Sequence, residues 1–312
     1  MLDDRLTEQR NPESEAVDEL TTLEIVELVN REDAKVAAAV GREAPAIARA
    51  ADLAAKALRG GGRLIYVGAG TSGRLGVLDA AEMPPTYGTD PAVVRGVIAG
   101  GPSALARSCE GAEDDPGAGA AAMERLRVGA RDFALGIATS GTTPFVHGAL
   151  ERARELGAAT GILLCTPPPP ALTDAHDVVI APLTGPEVVT GSTRMKAGTA
   201  TKLVLNSIST AAMIRMGKVH GNLMVDLRVT CAKLQDRGER ILMATLGVGR
   251  GQARELLDEA EGHVKTALAM RRLGVGAARA RAALDRAGGV LAELPEPDTS
   301  AAGAGGTAVG NR

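Results

Sequence analysis

Apolar residues recur at helical spacing between residues 21 and 58, where Leu23, Ile25, Val26 and Val29 precede an alanine-rich stretch that stops at Gly60-Gly61-Gly62. Positions three and four apart share one helix face, so this segment reads as two or three helices. The pattern then changes. Five short apolar runs, at residues 63–67, 93–99, 133–139, 160–165 and 177–181, alternate with helix-length stretches. Runs without a polar face belong to strands covered on both sides, and their alternation with helices predicts an α/β fold: a five-stranded parallel sheet flanked by helices. Residues 194–216, with Leu203, Val204, Leu205, Ile208, Met213 and Ile214, predict a long buried helix, and residues 222–235 predict another. From Arg237 onward the pattern breaks into short amphipathic helices separated by Gly247, Gly249, Gly251, Gly274, Gly276 and Gly288. The expected organisation is a sheet domain with N-terminal helices over residues 1–236, a small all-helical domain over 237–298, and a disordered Gly/Ala-rich tail over 299–312.

Composition narrows the function classes. The chain has 312 residues, 45% of them hydrophobic, but its aromatics are only Tyr66, Tyr87, Phe133 and Phe145. The core must therefore be aliphatic, and base stacking on aromatic platforms is excluded. A net charge of −3 leaves no broad basic surface for a nucleic-acid backbone, so a phosphate must be held by a local site. The first twenty residues are polar and acidic where a signal peptide needs a basic start and an apolar centre. No apolar run approaches the roughly 20 residues of a membrane helix, which predicts a soluble, cytoplasmic protein. Cys109, Cys165 and Cys231 are odd in number and widely spaced, as expected of reduced thiols. His147, His176, His220 and His263 are scattered without metal-ligand spacing, so no metal is expected.

The strongest local signal is RLIYVGAGTSGRLG at residues 63–76, a strand entering a Gly-rich turn and then a helix. Gly70 and Gly73 let backbone amides close on an anion, and Thr71 and Ser72 add hydroxyl donors where the helix dipole favours negative charge. The turn resembles a dinucleotide fingerprint, but hydroxyls occupy the loop and no acidic residue follows at the distance a ribose partner would require. A sugar phosphate fits better. A second strand ends in GIATSGTTP at 136–144, offering Ser140, Gly141, Thr142 and Thr143 at the same sheet edge. A third stretch, GPEVVTGSTRMKAGT at 185–199, offers Glu187, Ser192, Thr193 and Lys196, with Lys196 read equally well as a solvated surface residue.

Two acidic positions complete the candidates. Glu82 lies in LDAAEMPPTYG, where Pro84-Pro85 predicts the helix to end, leaving Glu82 as its last helical side chain. A helix C-terminus disfavours negative charge, and Asp79 one turn earlier acts in the same direction, so Glu82 is placed for proton transfer. Ten residues of helix span roughly 15 Å, beyond the reach of a hexose phosphate held at residues 70–73, which suggests that Glu82 serves a neighbour's site in a homodimer. The cluster CEGAEDDPG at 109–117 offers Glu110, Glu113, Asp114 and Asp115, and spacing does not choose among them.

The blocks GGGRLIYVGAGTSGRLGVLDAAEMPPTYG, EGAEDD, TSGTTPFV, GPEVVTGSTRMKAGTATKLVLN and GKVHGNLMVDL together resemble the signature of the N-acetylmuramic acid 6-phosphate etherases. The resemblance implies a sugar isomerase domain fold and essential glutamates at Glu82 and Glu113. It further implies elimination of D-lactate from the 6-phosphorylated sugar followed by addition of water, with no metal or organic cofactor. Two places depart from the family's usual wording: LDAAEMPP, and TSGTTPF, where a basic residue often precedes the Thr-Pro pair. Two other readings use the same fold, a non-catalytic sugar-phosphate sensor like the glucokinase regulatory protein and an aldose-ketose isomerase.

Overall fold

The computed structural model describes residues 5–295 apart from 227, 228 and 230. The disordered tail expected over 299–312 lies outside the described residues. Within them the chain forms two compact units, one of residues 5–84 with 89–213 and the other of residues 85–88 with 214–295.

The first unit opens with 3₁₀ turns over residues 6–19 and then three helices, α1 (Thr22–Asp33), α2 (Val36–Arg42) and α3 (Ala44–Arg59). Thr21 starts α1 with a capping box: its hydroxyl accepts from the Glu24 amide while the Glu24 carboxylate accepts from the Thr21 amide. The sheet follows as β1 (Leu64–Gly68), β2 (Val94–Ile98), β3 (Phe133–Ile137), β4 (Ala159–Leu163) and β5 (Val178–Ile180), all parallel in the order β2-β1-β3-β4-β5. Every expected strand is present, because β1 and β3 are buried along their whole length and only runs without charged side chains tolerate that. The register sets Gly68 of β1 beside Ile137 of β3, so the loops leaving these two strands emerge side by side. Chain order reverses between β1 and β3, which makes this edge the switch point where open α/β sheets bind ligands.

The crossovers are α4 (Gly70–Tyr87), α5 (Pro116–Arg125), α6 (Pro144–Glu155) and α7 (Pro170–Ala175), and α8 (Lys196–Arg215) is the expected long buried helix. Helices α5 and α6 touch backbone to backbone. A Cβ on Gly119 would stand 2.0 Å from the Phe145 carbonyl oxygen, and one on Gly148 2.1 Å from that of Pro116. Gly119→Ala must therefore separate the helices, and overpacking of this kind costs about 1–3 kcal/mol. A lower urea midpoint at unchanged slope is the expected result.

Helix α4 corrects one expectation. It continues through Pro84 and Pro85 to Tyr87 instead of ending at Glu82. Two absent N–H donors and the ring clashes are tolerated because Met83 and Tyr87, on either side of the prolines, are both buried. Glu82 thus stands more than a turn inside the helix, and the argument from the helix terminus loses its basis.

The second unit contains a hairpin, β6 (Val219–His220) with β7 (Leu223–Met224), and helices α9 (Ala232–Leu246), α10 (Arg250–Glu259), α11 (Val264–Leu273) and α12 (Ala277–Arg286). The helix expected over 222–235 begins only at Ala232, and the break expected at Arg237 falls inside α9. Gly247 and Gly274 end α9 and α11 in the left-handed conformation that stops a helix, as their punctuating role predicted. Leu242, Leu257, Val264, Leu268 and Leu284 form this unit's own aliphatic core. No helix among the described residues is long and apolar enough to cross a membrane.

Candidate active site at the strand ends

The loops after β1 and β3 bound a cavity of about 270 Å³, at the small end of ligand pockets. From the first loop come Gly70, Thr71 and Ser72. Gly70 turns the chain with φ +51°, a conformation glycine adopts at little cost. Gly73 does not line the cavity; it lets α4 approach the sheet, since a Cβ there would meet Ile98 at 2.6 Å and the Gly68 carbonyl at 2.7 Å. From the second loop come Thr139, Ser140 and Thr143. Gly141 makes the bend at φ +78°, and the His147 ring binds its carbonyl at 2.9 Å. Thr142 stands just behind, its hydroxyl 3.1 Å from that of Ser140.

The acidic cluster separates into roles. Asp115 caps α5, accepting from the Ala118 amide at 2.9 Å, and Asp114 does not line the cavity. Glu110 and Glu113 both do, Glu113 from the 3₁₀ turn Ala112–Asp114. Glu82 does not: it is exposed on α4, one helical turn beyond Leu78, which is 53% exposed. Asp79 is buried instead, holding the Tyr66 hydroxyl at 2.9 Å, the Asn206 amide at 2.6 Å and the Ser209 hydroxyl at 3.2 Å. Burial raises its pKa against those three hydrogen bonds, and the group ties β1, α4 and α8 together.

In the third stretch, Gly191 and Thr193 line the cavity while Ser192 between them does not. Glu187, expected on the ligand, is 1% exposed and caps α8 by accepting from the Lys196 and Ala197 amides, each at 2.9 Å. Lys196 is neither solvated nor on the cavity wall. It is 2% exposed, with its ammonium 2.5 Å from the buried Glu32 carboxylate of α1. Glu32 also accepts from Asn11 and Lys35, and although burial opposes ionisation these donors hold its pKa at about 2. The ion pair and the Glu187 cap fix the start of α8, directly behind the wall formed by Gly191 and Thr193.

Sequence reasoning missed the N-terminal segment. Glu8 lines the cavity, Leu6 donates its amide to Thr166 Oγ1, and the Thr7 carbonyl accepts from the Gly191 amide at 3.2 Å. Short 3₁₀ turns carry no periodicity, and these partners lie more than 150 positions away, so the burial of the polar Thr7, Asn11 and Ser14 emerges only in the fold. Arg74, Ser108 and the free, exposed Cys109 also lie on the wall unforeseen.

A hydroxyl-lined pocket at the β1/β3 switch point of a 2-1-3-4-5 parallel sheet is the ligand site of a doubly wound α/β domain, and the comparisons with known proteins place that domain among the sugar isomerase domains. Residues 46–154 accordingly match the profile of the glucokinase regulatory protein N-terminal SIS domain. The chain is 52% identical over 269 residues to an N-acetylmuramic acid 6-phosphate etherase of Photorhabdus laumondii, covering 86% of this chain and 89% of that protein. It is 56% identical to the etherase of Gloeobacter violaceus, over 85% of this chain and 86% of the other. A third match, in Salinibacter ruber, is 53% identical over 86% of each chain. The chain belongs to the N-acetylmuramic acid 6-phosphate etherase family.

Proposed function

We propose that this chain cleaves the D-lactyl ether of N-acetylmuramic acid 6-phosphate, giving N-acetylglucosamine 6-phosphate and D-lactate. The observation that carries the reading is the meeting of two Ser/Thr-lined loops with Glu113 in one cavity, in a chain half identical to curated etherases. Hydroxyls and amides at the start of α4 suit a phosphate, with Thr71, Ser72, Ser140 and Thr143 as its ligands.

The chemistry needs two proton-transfer groups. In the ring-opened sugar the C1 aldehyde acidifies the C2 proton; a base removes it, the C3–O bond breaks, and an acid protonates the departing lactate oxygen. Water then adds at C3 and a proton returns to C2, so the sum is substrate plus water giving sugar phosphate plus lactate. We assign Glu82 as the donor to the leaving lactate and Glu113 as the second acid/base group. Because Glu82 is exposed and off its own cavity beside the half-exposed Leu78, it serves the site of a second copy in a homodimer. The activity belongs to cytoplasmic recovery of the amino sugar of peptidoglycan.

Incubation of the purified protein with N-acetylmuramic acid 6-phosphate tests this directly. One lactate per N-acetylglucosamine 6-phosphate is expected. Binding without any lactate would favour a sugar-phosphate sensor, the reading suggested by the match to the glucokinase regulatory protein.

A further inference from the structure

We propose that Arg5, carried by the N-terminal strap, is a binding residue for an anionic group of the substrate at the rim of the pocket. The inference rests on the reading of that pocket as the sugar-phosphate site. It starts from charge. Among the described residues lining the cavity, Glu8, Glu110 and Glu113 are carboxylates and Arg74 is the one cationic side chain. Arg74 is already engaged, donating from Nε to the Leu105 carbonyl at 3.0 Å and from Nη2 to that of Ala104 at 2.8 Å. The substrate brings both a phosphate and a lactyl carboxylate. Neutral hydroxyls and amides hydrogen-bond such groups but add no positive charge, which leaves Arg74 alone against three carboxylates and the ligand's own anions.

Arg5 places a second guanidinium beside the pocket. Its Nη1 donates to Thr142 Oγ1 at 3.1 Å, and that oxygen lies 3.1 Å from Ser140 Oγ, which is on the cavity wall. The guanidinium is thus linked through two hydrogen bonds to the cavity wall. Its position is set by the strap behind it. The Leu6 amide is held by Thr166 Oγ1 at 3.3 Å, and the Thr7 carbonyl by the Gly191 amide. Asn11 Nδ2 donates to the Pro186 carbonyl at 3.2 Å, and Ser14 Oγ to that of Val188 at 2.8 Å. These anchors join the strap to the loop after β4 and to residues 186–191, so the backbone next to Arg5 moves with the site. An arginine fork matches the oxygens of phosphate and carboxylate alike, which a lysine point charge does not.

The test measures KM and kcat for lactate release from N-acetylmuramic acid 6-phosphate, and Kd for N-acetylglucosamine 6-phosphate, which keeps the phosphate and lacks the carboxylate. Loss of one charge-assisted hydrogen bond should raise KM about tenfold to a hundredfold in Arg5→Ala, with kcat changed far less. Arg5→Lys should fall between, and Thr142→Val should shift KM the same way by removing the hydroxyl that holds Nη1 beside Ser140. A parallel rise in Kd assigns Arg5 to the phosphate, and a rise in KM alone assigns it to the lactyl carboxylate; either supports the proposal. Unchanged KM and Kd in Arg5→Ala, with an active wild type, would overturn it. A wild type that releases no lactate would instead sink the activity itself. Equal urea midpoints for wild type and Arg5→Ala separate lost binding from lost fold.

Discussion

Glu113→Gln is expected to lower kcat for lactate release by about 10²–10⁴-fold, the range that a positioned acid or base contributes. The amide keeps the shape of the side chain and removes only its capacity to exchange a proton, so KM should move little. Glu82→Gln should fall equally far, although the residue lies off the cavity of its own chain. Asp114→Asn is the control, since Asp114 shares the exposed acidic turn and does not line the cavity. The shared-site reading makes a sharper demand. When the two inactive variants are mixed and allowed to exchange subunits, each heterodimer assembles one site with Glu113 from one copy and Glu82 from the other. Activity should return toward roughly a quarter of wild type, from half the dimers with one working site each. If Glu82 worked within its own chain, no activity would return.

Glu32→Ala has the largest expected effect on stability, about 3–5 kcal/mol, because it strands the buried Lys196 ammonium without its partner. Replacing both residues with apolar side chains of similar volume should recover much of that loss, and a double-mutant cycle in urea measures the coupling. The pH dependence has a definite sign. Hydrogen bonds hold the folded-state pKa of Glu32 near 2, against 4.5 when unperturbed, despite the opposing effect of burial. Its contribution is therefore complete above about pH 4.5 and is lost as pH falls toward 2. Wild type should lose stability faster than Glu32→Ala across that interval. Loosening α8 should also weaken substrate binding, since Gly191 and Thr193 precede that helix on the cavity wall.

What could be read in the sequence follows physical range. The five strands were legible because a buried parallel strand must be apolar on both faces, and the two loops because glycine and hydroxyl residues at strand ends have few other uses. Spacing narrows the second acid only to a group of four and the family resemblance implies Glu113; the fold makes Asp115 a helix cap and leaves Asp114 off the cavity, while Glu110 and Glu113 both line it. The burial of Lys196 is not legible locally because its partner Glu32 lies 164 positions away, and the cap made by Glu187 is not because capping and ligand binding ask the same thing of a carboxylate. Proline statistics likewise placed the end of α4 too early. They describe a local preference of about 3 kcal/mol for each interior proline, which the packing around the buried Met83 and Tyr87 outweighs. The strap was invisible because its irregular turns are fixed by distant partners.

The most direct test of the central claim is turnover in water enriched in oxygen-18, with the anomeric oxygen washed back in ordinary water before mass spectrometry. Elimination followed by hydration puts the label on C3 of N-acetylglucosamine 6-phosphate and leaves the lactate unlabelled. Label in the lactate and none at C3 would mean that water attacked the lactyl carbon, and would contradict proton transfer by the paired glutamates as the source of ether cleavage.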